Sequence, residues 1–389
     1  MKDREIRRDR PLPEEAEPTV PVLRPRLPGV ERLTPYLRRI DASRIYSNYG
    51  PLARELEGRL SRHLGLPAGG VVGASSGTVA LVGAILAMAG RPTDKRPLAL
   101  FPAFTFVATA VAVELCGYRG YLADVDSRTW MLDPERLQSH PELSRIGVVV
   151  PVAPFGRPVP QEPWLRFREK TGIPIVIDGA ASLECVAREP GRFLGQIPVA
   201  MSFHATKSYS TGEGGGVVST SSDQAQRITQ ALNFGFHGSR DCALASTNGK
   251  MSEYHAAVGL AELDGWTEKQ RSLLAVADAY RSRLEPSGLR ERFFAAPGIS
   301  SSYAVFRCRD ADESGRVRES LRRHGVDSRL WYGTGVQDQT HFSDLPREDL
   351  SVTEGLAPLL LGLPVAPDLD DRALERITRG LVEGVNASS

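Results

Sequence analysis

Cysteine is scarce: the 389-residue chain has four, Cys116, Cys185, Cys242 and Cys308, far apart and with no CxxC pair. That spacing argues against a disulfide framework or a zinc knot and suits thiols kept reduced in a cytoplasm. Histidine is equally thin, seven residues with no HxH or HxxxH pair, so metal ligation has no sequence pattern behind it. An excess of charge is missing as well: 48 Lys and Arg face 47 Asp and Glu, a net charge of +1. That balance gives no support for a nucleic-acid partner, which usually leaves a basic surplus. No apolar run approaches the roughly 18 residues that cross a bilayer. The N-terminus, "MKDREIRRDRPLPEEAEP", offers no apolar stretch for a secretory signal. A soluble cytoplasmic protein with no membrane or nucleic-acid partner is expected.

What is present has a clear order. Residues 1–30 mix dense charge with six prolines and read as an extended or disordered arm. "NYGPLARELEGRLSRHLGL" then predicts a helix with Asn48 near its cap and Pro51 in its first turn. From there to about residue 220, seven short apolar runs alternate with helical stretches such as "TVALVGAILAMAG" and "TFVATAVAVELCG". Continuously apolar strands between helices predict an α/β unit, a mostly parallel sheet covered on both faces. Ligands of such sheets collect at the carboxyl ends of the strands. One long helix over 251–284 is expected next. The remainder, with "SSYAVFRCRD" and "DDRALERITRGLVEG", reads as a smaller α+β unit with an antiparallel sheet. The expected division is an arm (1–30), a large ligand-binding domain (31–270) and a small C-terminal domain (271–389).

Four stretches carry chemistry, and each falls where such a sheet places its ligand. In "GASSGTVAL", Ser76-Gly77-Thr78 opens an apolar helix; amides at a helix start, with glycine allowing close approach, suit a phosphate. In "PIVIDGAAS", an apolar strand delivers Asp178 to its end, where a buried carboxylate is costly unless a cation meets it. "PAFTFVATA" places Phe104 and Phe106 just past a strand, available to stack on a flat ring. "SFHATKSYSTGEGGG" sets Lys207 near Ser202 and His204; a lone lysine is ordinarily solvated, but one beside an anion can also bond a carbonyl. A phosphate, a ring nitrogen, a flat ring and a carbonyl together describe pyridoxal 5′-phosphate (PLP).

With these motifs, joined by "SNYGPLARELE", "PVAPFGRPV", "NGKMSEYHAAVGLAEL" and "LPVAPDLDD", the chain resembles the DegT/DnrJ/StrS family of PLP-dependent aminotransferases. The resemblance covers nearly everything after residue 40 and implies the fold type I architecture of that enzyme class. Position by position, it implies that Lys207 is the Schiff-base lysine and Asp178 the partner of the pyridinium nitrogen. Ser202, with Ser76, Gly77 and Thr78, corresponds to the phosphate cup, and Phe106 to the aromatic residue on the ring. Asn248 matches a residue that reaches the phosphate from a neighbouring subunit, which implies a homodimer with shared sites. Members usually carry Gln or His three residues after the aspartate; this chain has Ala181, followed by Ser182. The dehydratase branch has His in place of the lysine, so Lys207 argues against it. The implied reaction moves an amino group from an amino acid, usually glutamate, to a ketone of a nucleotide-linked sugar. A cyclitol or other natural-product ketone, a lyase or decarboxylase reaction, and a non-catalytic regulatory role stand as alternatives. "RLWYGTGVQDQTHF" supplies candidate substrate contacts in Arg329, Trp331, Tyr332 and His341, together with His204.

Overall fold

The computed structural model describes residues 20–295, 301 and 303–387. Seven strands build the N-terminal sheet: β1 Val71–Ala74, β2 Leu98–Pro102, β3 Arg119–Ala123, β4 Ile146–Val149, β5 Ile177–Asp178, β6 Val199–Ser202 and β7 Gly215–Val218. They coincide with the seven apolar runs. The hydrogen-bonded orders are β1-β7-β6-β5 and β3-β2-β4. Parallel bridges from Val149 to Ile175 and from Val152 to Asp178 join β4 to β5, so the order across one sheet is β1-β7-β6-β5-β4-β2-β3. β7 runs antiparallel to both neighbours, whereas β6-β5, β2-β4 and β2-β3 pair in parallel. Helices cover both faces, producing two buried apolar clusters, one holding Leu56, Leu100, Ile146 and Phe167, the other Leu81, Ile85, Phe101 and Val148.

The C-terminal unit is an antiparallel sheet ordered β10-β11-β9-β8, with β8 Phe293–Phe294, β9 Ala304–Arg307, β10 Arg329–Leu330 and β11 Leu360–Leu363. Helices Ala311–Arg323 and Asp371–Asn386 pack on it through Val317, Leu321, Ile377 and Leu381. A further cluster of Phe104, Trp130, Phe155, Val305 and Leu360 ties the two sheets together. No helix among the described residues is long and apolar enough to cross a membrane.

Two local expectations change. The helix expected over 251–284 is two helices, Glu253–Asp264 and Trp266–Leu284, broken at Gly265. Its second half serves both units, with Trp266 in the first core and Val276, Tyr280 and Leu284 in the C-terminal core. Asn48 does not cap the helix Pro51–His63, whose N-cap is Gly50. The carboxylate of Glu253, fully buried, takes that role by accepting from the Leu52 and Ala53 amides at 2.8 and 2.9 Å. A charged acceptor at a helix start meets both orphan amides and the positive end of the dipole. Residues 1–19 of the expected arm lie outside the described residues; residues 20–29 are extended, with Pro21 and residues 24–27 exposed and a few apolar side chains docked. Val20 and Val22 are buried, Val20 bridges Val326, and Leu23 bridges Val365.

Candidate active site

The carboxyl ends of β5 and β6 and the start of the helix Gly77–Ala89 converge on a cavity of about 340 Å³. It is lined by Ser76, Gly77, Thr78, Phe106, Asp178 and Ala181 on one side and by Ser202, His204 and Lys207 on another. Arg329, Trp331 and Tyr332 arrive from the C-terminal unit. Twelve of the fourteen residues given a cofactor or substrate role in the sequence therefore meet at one place.

The anion cradle is assembled by close backbone approach. Ser76 caps the helix, its hydroxyl accepting from Val79 N at 3.1 Å, so the first-turn amides of Gly77 and Thr78 are left without helical partners. A Cβ on Gly77 would lie 2.6 Å from Ser202 Cβ, and one on Gly215 would lie 2.6 Å from the Ser76 carbonyl oxygen. The glycines after Lys207 thus admit β7 against the cradle, a role beyond turning the chain. The Ser202 hydroxyl accepts from His204 N at 3.3 Å.

Asp178 is 8% exposed, a carboxylate held away from water. Its Oδ2 accepts from the Thr109 hydroxyl at 2.7 Å and its Oδ1 from Ala180 N at 3.1 Å. Burial nevertheless dominates and pushes its pKa up, against the opposing pull of Thr109, Ala180 and Lys207. Phe106 is 61% exposed at the cavity, an unusual setting for a phenyl ring, whereas Phe104 is fully buried.

Lys207 Nζ donates to the Tyr303 hydroxyl at 2.9 Å and lies 5.2 Å from that ring's centroid. Tyr303 is held in turn by Trp331, edge-on at 4.8 Å, and by Phe155 at 5.8 Å. The Tyr332 hydroxyl accepts from Phe155 N at 3.1 Å while the two rings stack at 4.8 Å. Burial raises the Tyr332 pKa well above its ordinary value, keeping it neutral. His204 Nδ1 lies 2.9 Å from the Thr206 hydroxyl and its Nε2 3.6 Å from Glu213. Ser182, 1% exposed, donates to the Gly179 carbonyl at 2.8 Å and does not line the cavity.

Two expected residues lie outside this cavity. His341 sits on an exposed turn, Thr340–Phe342, with its Nε2 2.9 Å from a Glu114 carboxylate oxygen. Asn248 is exposed outside its own chain's cavity and accepts from Lys250 Nζ at 2.7 Å; the role expected of it concerns a second subunit. Conversely, Thr109, Tyr303 and Leu23 belong to the site without having been singled out. Thr109 left a faint signal, a lone hydroxyl in the apolar helix Ala108–Leu115, whereas Tyr303 and Leu23 left none.

The residues fit PLP: a cradle of helix-start amides and hydroxyls, an exposed ring for stacking, a buried carboxylate and a lysine amine in one cavity. Similarity to known proteins agrees. The family model for DegT/DnrJ/EryC1/StrS aminotransferases matches residues 29–382. A dTDP-4-amino-4,6-dideoxy-D-glucose transaminase of Shigella dysenteriae is 31% identical over 268 residues, covering 68% of this chain and 70% of its own. The crystal structure of DesI with its TDP-sugar product is 30% identical, with a TM-score of 0.82 over 94% of this chain and 93% of that one. A Bacillus cereus structure provisionally assigned as a PLP-dependent aminotransferase is 29% identical, with a TM-score of 0.84 over 93% and 99%.

Proposed function

The chain belongs to the DegT/DnrJ/EryC1/StrS aminotransferase family, and from that premise we propose that it transfers an amino group from an amino acid, glutamate being the expected donor, to the ketone of a nucleotide-linked sugar. The reading rests above all on one observation. Lys207 and the buried Asp178 line the same cavity, beside the helix start at Ser76, Gly77 and Thr78.

PLP, when bound, supplies an aldehyde that condenses with amines and a ring that accepts electrons. The protein's residues do the rest. Asp178 pairs with the ring nitrogen and holds its proton through a charge-assisted hydrogen bond. Thr109 orients that carboxylate and Thr105 orients Thr109, the two hydroxyls being 2.9 Å apart. The Gly77 and Thr78 amides with Ser76 and Ser202 hold the phosphate, and Phe106 covers the ring. Lys207 Nζ removes the proton from the donor's α-carbon and returns a proton on the acceptor side, as general base and then general acid. Tyr303 receives Nζ while it is free and keeps it directed at the cavity.

The large unit to about residue 270 binds the cofactor, and the small unit from 271 contributes Tyr303, Arg329, Trp331 and Tyr332. Two copies share sites, with Asn248 reaching across. The exposed Phe234, capped by Lys250 Nζ 4.3 Å from its centroid, and the exposed Tyr46–Tyr254 stack support such a face. The test is a half-reaction. Purified protein mixed with glutamate should release 2-oxoglutarate and leave the cofactor in its amine form, and Lys207→Ala should abolish both. Release of carbon dioxide without keto acid would overturn transamination in favour of decarboxylation.

A further inference from the structure

Beside the lysine cavity lies a larger one, about 630 Å³, and Tyr303 walls both. Its lining is aromatic, with Trp130, Phe155, Phe293 and Phe294, and it holds three arginines. Two of them are engaged. Arg281 bonds Asp278 at 2.6 Å and also the Ala295 carbonyl; Arg290 bonds Glu285 at 2.5 Å.

Arg157 is different. Its guanidinium lies 4.9 Å from the Trp130 ring centroid, and its Nη1 is buried with no hydrogen-bond partner among the described residues. Trp130, 2% exposed, lines the same cavity, and its Nε1 is likewise a buried donor without a partner among the described residues. Two adjacent buried donors with no acceptor carry a desolvation cost that an acceptor-only group would relieve. A guanidinium matches the two oxygens of a carboxylate or phosphate in its fork geometry. Burial, the sole cause acting on Arg157, lowers its pKa, which further marks a cation that lacks its counter-charge.

The chain geometry links this pair to the chemistry. Arg157 N donates to the Pro154 carbonyl at 2.9 Å, closing the turn that carries Phe155, and Phe155 stacks on Tyr332 of the lysine cavity. A ligand anchored at Arg157 would therefore extend past Tyr303, the group that holds Lys207 Nζ.

We infer that Arg157 and Trp130 form an oxyanion subsite for a substrate of this enzyme, taking either a carboxylate of the amino donor or a phosphate of the acceptor. The assignment of the oxyanion to a substrate rests on the transamination reading, whereas the subsite itself does not. Calorimetric titration of the PLP-loaded protein with glutarate and, separately, with pyrophosphate tests it without turnover. One of the two should bind, and Arg157→Gln should weaken that binding about 10- to 150-fold, the worth of a charge-assisted hydrogen bond. Arg157→Lys, which keeps the charge but not the fork, should fall between. Trp130→Phe, which keeps the ring but not the N–H, should weaken it by a smaller factor. Loss of glutarate binding assigns the subsite to the donor, and loss of pyrophosphate binding to the acceptor. Equal binding by wild type and Arg157→Gln within twofold, or no binding of either probe to wild type, overturns the inference. A protein that binds a probe through Arg157 but releases no 2-oxoglutarate from glutamate would sink the transamination reading and leave the subsite standing.

Discussion

Replacing Asp178 by Asn should have effects of opposite sign with and without the cofactor. The amide keeps the carboxyl's shape, an acceptor for Ala180 N and a partner for the Thr109 hydroxyl, so what disappears is the charge. In cofactor-free protein that charge is a burden, because burial raises the carboxyl pKa. A group whose folded pKa is raised contributes stability that is fully present below its unfolded value, about 3.9, and lost as pH rises through the folded value. The Asn variant should therefore gain stability relative to wild type as pH climbs from the acid range toward neutrality, and then level off. With PLP bound the sign reverses. A hydrogen bond to a charged group is worth about 1.5–3 kcal/mol net and a neutral one about 0.5–1.5 kcal/mol, so the substitution costs about 1–1.5 kcal/mol of binding. That corresponds to roughly 5- to 13-fold in Kd. Turnover should fall further still, because a ring nitrogen without its proton accepts electrons poorly. Urea denaturation of the cofactor-free proteins across pH, with fluorescence titration by PLP, reads both effects. Cofactor affinities equal within twofold, together with a stability difference that ignores pH, would refute Asp178 as the ring's partner.

Gly77→Ala should weaken PLP binding and destabilise the fold by about 1–3 kcal/mol, the usual cost of overpacking, since the new Cβ would stand 2.6 Å from Ser202 Cβ. Unchanged PLP affinity in that variant would show that the cradle lies elsewhere. Glu57, which accepts from Gly73 N at 2.8 Å, is pushed up to about 7 from 4.5, chiefly by burial. Its contribution to stability is present below about pH 4.5 and lost as pH rises through about 7, a loss on the order of 3 kcal/mol at 1.36 kcal/mol per unit. Glu57→Gln should remove that slope, and a wild-type stability that stays flat between about pH 5 and 8 would contradict it.

Legibility followed the range of the interactions. The strands, Lys207, Asp178, Phe106 and the Ser76-Gly77-Thr78 turn could be read because apolar runs and turn residues report on their own backbone. Parallel strands bring their carboxyl ends to one edge, so residues placed at those ends in sequence meet in space. His341 falls outside the cavity that Arg329, Trp331 and Tyr332 line, because a loop sequence reveals its polarity but not its direction, and this one turns toward Glu114. The cap on the helix at Pro51 comes from Glu253, some 200 residues away, which no local pattern could announce.

The sequence by itself determined the alternation of strand and helix, the position of the lysine and the carboxylate, and hence the class of chemistry. Tertiary packing alone decided what surrounds them. Tyr303 reaches Lys207 across 96 residues, and Thr109 reaches Asp178 across 69. Arg157 and Trp130 become a pair of unanswered donors only once the two sheets close over Phe155. Desolvation is the physical reason: a charge or an N–H asks for a partner only after packing has removed its water, and packing is a property of the whole chain.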